Sequence, residues 1–106
     1  MSDTHYAEFL RARITELRIK KDVSERGMSL DLGRSDSYIR GITSGASLPS
    51  CGELFKIFAY FEMSPLEFFA PLEREDTLYG SICARLRDLD EADLAKVNTL
   101  IDWLEE

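Results

Sequence analysis

The sequence predicts an all-α protein, and three observations carry that expectation. Apolar residues recur at three- and four-residue spacing through most of the chain. Serine and aspartate caps stand in front of the apolar runs, with glycine or proline at their ends. No stretch alternates apolar and polar residues as a half-buried strand does.

Taken in order, Tyr6, Phe9, Leu10, Ile14 and Leu17 place one apolar stripe on a first helix from about residue 5 to 21. Ser24 caps a short second helix that turns Met28 and Leu32 inward, and Gly33 ends it because glycine enters the left-handed region without strain. Ser35 is expected to cap a third short helix to about Thr43, with Ile39 and Ile42 on its inner side. The segment from Thr43 to Pro49 has the small residues and closing proline of a loop. Ser50-Cys-Gly-Glu53 is a capping box that starts a fourth helix carrying Leu54, Ile57, Phe58 and Phe61. Ser64-Pro65-Leu66-Glu67 is a second one, with proline at the first position of a fifth helix that ends near Pro71. Beyond it, Leu78, Ile82, Leu86 and Leu89 trace a sixth helix, and Asp90 caps a last one carrying Leu94, Val97, Leu100, Ile101, Trp103 and Leu104.

With 106 residues, 44% of them hydrophobic, the chain is expected to form one small domain with a short appendage. The boundary is placed between residues 1–71 and an acidic extension, 72–106. No apolar run approaches the roughly 20 residues of a membrane span, and the N-terminus lacks the basic and apolar regions of a signal peptide, so a cytoplasmic location without a membrane partner is expected. Cys51 and Cys83 have no metal-ligand spacing and are read as reduced core thiols.

The net charge of −7 is unevenly spread. Residues 72–106 hold four Lys/Arg against ten Asp/Glu, or −6, and residues 1–71 hold nine against ten, or −1. Between residues 11 and 40, eight cations (Arg11, Arg13, Arg18, Lys20, Lys21, Arg26, Arg34, Arg40) meet five acids, and this local excess is the place for a phosphate-binding face. Catalysis finds no support: His5, the single histidine, has no serine or cysteine partner at a readable spacing, and no cofactor or metal is implied.

The segment from Leu17 to Phe69 resembles the lambda-repressor-like, or XRE, helix-turn-helix family. The resemblance rests on Leu17-Arg18, Val23-Ser24, Gly33 in the turn, Ser35-x-Ser37-Tyr38-Ile39-x-x-Ile42, and the Gly45-x-x-x-Pro49-Ser50 loop, in continuous register. It implies a five-helix domain, here with two further C-terminal helices, that binds double-stranded DNA as a dimer on a palindromic operator. A recognition helix starting at Ser35 would present Ser35, Asp36, Ser37 and Arg40 to base edges. Arg40 suits a bidentate contact to guanine. Asp36 suits either a cytosine amino group or the positive end of its own helix.

The resemblance also implies that Tyr38 donates its hydroxyl to a phosphate, the alternative being packing against the second helix. Ser24, Ser44, Ser47, Lys20, Lys21 and Arg34 complete the expected backbone contacts, with Arg13 adding charge nearby. Where the family often has glutamine, this chain has Glu25 and Asp36; its glutamate after the third helix is Thr43 here, leaving Arg18 to find another partner or free to reach the DNA. Gly41 interrupts the recognition helix at a position that close approach of a helix or of DNA would explain. The last helix is apolar around more than half its circumference, so Leu100, Trp103 and Leu104 are expected in a homodimer interface. The rival expectation, drawn from the acidic balance, is a protein-interaction module or antitoxin that uses the same scaffold to hold a protein partner.

Overall fold

Seven α-helices and one 3₁₀ turn, with no strand, make up the described part of the chain, residues 3–106, in a computed structural model. The helices are α1 (Asp3–Lys20), α2 (Glu25–Asp31), α3 (Tyr38–Thr43), α4 (Cys51–Tyr60), α5 (Pro65–Phe69), α6 (Leu78–Arg87) and α7 (Glu91–Leu104), with the 3₁₀ turn at Ala70–Leu72. The chain separates into two units, Met1–Phe69 and Ala70–Glu106. None of these helices is long and apolar enough to cross a membrane.

Unit 1 closes its five helices around a single apolar core. Leu10, Ile14 and Leu17 of α1 meet Met28 of α2, Ile39 and Ile42 of α3, Ile57 and Phe58 of α4, and Phe68 of α5. Each side chain withdrawn from water this completely contributes about 1.5 to 3 kcal/mol, so the core is the main force holding five short helices together. Phe58 and Phe68 meet with ring centroids 5.0 Å apart, and Phe69 packs edge-on against Phe68 at the same separation. The expected stripe of α1 is buried from Leu10 onward, with Phe9 half-buried, and Tyr6 stays 49% exposed at the N-terminal end of the stripe.

Both capping boxes form. Ser50 Oγ accepts the Glu53 N–H while Glu53 Oε1 accepts the Ser50 N–H, and Ser64 and Glu67 repeat the exchange. Ser24 Oγ accepts the Gly27 N–H at the start of α2, and Gly33 takes φ 73° in the turn that follows. Two expectations need correction. Helix α3 begins at Tyr38 rather than Ser35, because Ser35 to Tyr38 forms a separate turn closed by the Tyr38 N–H on the Ser35 carbonyl. Cys51 is an exposed residue in the first turn of α4, not a core thiol, and Cys83 is half-buried.

The short helices leave backbone carbonyls without partners, and α1 supplies donors for them. Arg13, 9% exposed, donates from Nε to the Phe68 carbonyl at 2.8 Å and from Nη2 to the Glu67 carbonyl at 3.0 Å, at the C-terminal end of α5. Its Nη1 pairs with Glu16 at 2.6 Å. The expectation that Arg13 adds charge near phosphates is therefore overturned: its guanidinium is buried and its donors are taken.

In unit 2, Thr77 caps α6 by accepting the Gly80 N–H and donates its own hydroxyl to the Arg74 carbonyl. A Cβ on Gly80 would lie 1.4 Å from that carbonyl oxygen, so only glycine lets the chain cross there. Asp90 caps α7 through the Asp93 N–H, and Leu89 falls just beyond α6 in the link to α7. No residue of α7 is buried, and Leu100, Ile101, Trp103 and Leu104 are all exposed.

Replacing Arg13 with alanine is expected to lower the stability of the chain by about 2 to 4 kcal/mol, since buried carbonyls lose charged donors. The midpoint of urea unfolding, followed by circular dichroism, measures it. An Arg13→Ala midpoint equal to wild type would refute the clamp.

Candidate nucleic-acid interface

The pair α2–α3 is fixed by side chains that join the two helices across the Gly33 turn. Ser29, fully buried in α2, donates its hydroxyl to the Glu25 carbonyl at 2.7 Å and accepts the Ile39 N–H at 3.0 Å. Ile39 belongs to the first turn of α3, where N–H groups have no partner within the helix. Ser37, in the capping position, makes no side-chain bond, so α3 takes its cap from the neighbouring helix. The other end of α3 is held by Arg11, whose Nε donates to the Ile42 carbonyl at 2.9 Å.

A third tie runs over the outside. Glu25 Oε1 pairs with Arg40 Nη1 at 3.1 Å, and its Oε2 accepts the Thr43 hydroxyl. The Thr43 hydrogen bond and the Arg40 guanidinium hold the Glu25 carboxyl below its ordinary pKa, against the opposing effect of partial burial. Glu25 is thus a charged strut between the helices, and its negative charge is already matched. Arg18 donates from Nη1 to the Val23 carbonyl at 3.0 Å, while its Nε is buried without a hydrogen-bond partner among the described residues.

These ties leave one side open. Ser35, Asp36, Ser37 and Arg40 are exposed, as are Ser44, Ser47 and the cap residue Ser24, while Ile39 and Ile42 point into the core. The structure therefore brings the expected base-reading residues to the surface, with three of the four in the turn before α3 rather than on the helix. Ser47 folds back over α3 through its N–H to the Gly41 carbonyl at 3.1 Å. A Cβ on Gly41 would meet Ser47 Oγ at 3.4 Å, an ordinary contact, so the packing of the chain does not itself demand glycine there.

The expected cationic face is much reduced. Arg11, Arg13 and Arg18 serve backbone carbonyls, Arg40 pairs with Glu25, and Arg34 pairs with Glu53 at 2.8 Å while stacking 4.6 Å above the Tyr38 ring. Lys21 sits 5.0 Å over the Tyr60 ring. Among the described residues Lys20, Lys21 and Arg26 of this stretch have no ion pair. The Tyr38 hydroxyl oxygen is buried without a hydrogen-bond partner among the described residues, and desolvation, with the nearby Glu53 carboxylate, pushes its pKa up, so in this arrangement it is not presented to solvent. Its ring packs against the core and beneath the Arg34 guanidinium.

Ser29, Arg11 and Thr43 are the residues whose part in this arrangement sequence reasoning missed. A serine directly after Met28, ten residues ahead of the first apolar residue of α3, was the available signal for the first of them. Comparison of the chain with protein-family models, with curated proteins and with solved structures gives no match.

Substituting Ser29 with alanine strands a buried N–H and is expected to cost about 1 to 3 kcal/mol. The exposed cap Ser24→Ala should cost about 1 kcal/mol. Chemical denaturation of the two variants side by side checks the order, and a Ser29→Ala loss no larger than that of Ser24→Ala would count against the trans cap.

Proposed function

We propose that the chain is a transcriptional regulator that binds double-stranded DNA in a sequence-specific manner, a dimeric repressor on a palindromic operator. In this reading unit 1 has a lambda-repressor-like arrangement, and the turn Ser35–Ser37 together with Arg40 enters the major groove. The observation that carries the reading is the bracing of α3 at both ends, by Ser29 and Arg11, while its solvent side stays uncovered. A groove-reading element needs that combination, because base contacts discriminate only if the reading side chains are held in place. Exposed Ser24, Ser44 and Ser47 border the same element and suit phosphate contacts that set register without reading sequence.

A second reading, a module that binds a protein partner on this face, is favoured by the cation count, since five of the eight cations are engaged within the chain. Ionic strength separates the two. With Lys20, Lys21 and Arg26 free, DNA binding should neutralise about three phosphates per copy, a log–log salt slope of about −2.7, or about fortyfold between 50 and 200 mM salt. Selection of bound sequences from a random duplex pool is the direct test. Arg40→Ala should relax preference at one base position by about 1 to 3 kcal/mol, whereas Lys21→Ala should weaken all sequences alike. Failure to enrich any sequence at low ionic strength would favour the protein-partner reading.

Pairing of two copies is assigned to unit 2, on the exposed apolar residues Leu100, Trp103 and Leu104 of α7. Two-fold pairing would place half-sites about one helical turn, roughly 34 to 36 Å, apart. Sedimentation at tens of micromolar is expected to give a dimer mass that Trp103→Ala shifts toward monomer. A monomer mass for both proteins would rule the pairing out.

A further inference from the structure

Arg40 is 74% exposed and yet does not stand alone, because one of its five N–H donors is fixed by Glu25. The contact is made at Nη1 only, and Arg40 donates no other hydrogen bond among the described residues. Glu25 is itself anchored, since the oxygen that does not face Arg40 accepts the Thr43 hydroxyl at 2.5 Å. Thr43 lies three residues after Arg40 on the same helix, so the carboxylate bridges two positions about one turn apart on α3 from its seat on α2.

We propose that Glu25 is a positioning residue for Arg40: it holds the guanidinium at one corner and leaves its remaining edge to read a guanine through two acceptors. The inference rests on the DNA-binding reading. A long arginine free in solvent loses rotamer freedom when it binds, and a carboxylate that orders it beforehand reduces that loss. A single contact suffices, because the fork of donors is rigid and fixing one corner limits the directions of the others. The same carboxylate opposes phosphates. Its removal should therefore act in two opposite ways, raising affinity for DNA in general while lowering discrimination at the base that Arg40 reads.

The test uses the full chain, the duplex enriched from a random pool, and that duplex with the preferred guanine pair replaced. For Glu25→Gln the preference between the two duplexes is expected to fall about two- to fivefold, the range of an exposed ion pair, with affinity for unselected duplex equal or higher. Thr43→Val, which keeps both charges and loosens only the anchor of Glu25, should lower the preference by a smaller factor in the same direction. Arg40→Ala should abolish it. A preference that is unchanged or sharper in Glu25→Gln, or that survives Arg40→Ala, overturns the inference while leaving DNA binding standing. Absence of any duplex binding by the wild-type chain at low ionic strength overturns both.

Discussion

Unit 1 depends on guanidinium groups reaching backbone carbonyls that short helices cannot satisfy. An α-helix leaves its last four carbonyls without partners, so a helix of five or six residues has more open acceptors than closed ones. Helices α3 and α5 are of that length. Enclosing their ends in a core without donors would cost about 1 to 3 kcal/mol per stranded group, enough to cancel much of the apolar burial that brings them together. Arg13 removes that penalty at Phe68 and Glu67, and Arg11 adds a charged donor to the Ile42 carbonyl, which the Gly45 N–H also serves; both arginines belong to α1, the longest helix of the unit. A buried guanidinium is tolerated at Arg13 because Glu16 balances its charge and the carbonyl dipoles face it.

That constraint explains why the outline of the fold was legible in the sequence and the charge distribution was not. Caps and turns act within three or four residues, so Ser24, Ser50, Ser64 and Asp90 announced their helices, and Gly33 its turn. Apolar spacing placed Ile14, Ile39, Ile42 and Ile57 in the core for the same local reason. The arginines behave differently, since their partners lie 31 and 55 residues away for Arg11 and Arg13. A count of basic residues along the chain takes these two for surface charge. The start of α3 fails on similar grounds: Ser35 reads as the cap, and the Ile39 N–H is met instead by Ser29 from the preceding helix.

The consequence for the interface is physical. Proteins that rely on many free Lys and Arg side chains bind any duplex through counterion release, and their preference for one sequence is added on top. In unit 1 most of the cations are engaged within the chain, so a DNA complex would draw a larger share of its free energy from hydrogen bonds of Ser, Asp and Arg side chains and from fit to the groove. Weak background binding is the corollary, and it favours selectivity over raw affinity. Glu25 fits the same logic, because a carboxylate matched by Arg40 and Thr43 presents less repulsion to phosphate than a free one would.

In the proposed reading, salt would act on the two units in opposite directions. Residues 72–106 hold ten acids against four cations, so two copies brought together through α7 repel each other, and screening by added ions relieves that repulsion. Burial of Leu100, Trp103 and Leu104 in the proposed pair would be indifferent to modest salt, so pairing would strengthen as ionic strength rises. Phosphate contacts of unit 1 would weaken over the same range. For a dimer on two half-sites, relief of the repulsion between the tails would offset part of the loss expected from the phosphate contacts alone, so the net salt response would be shallower than those contacts by themselves dictate.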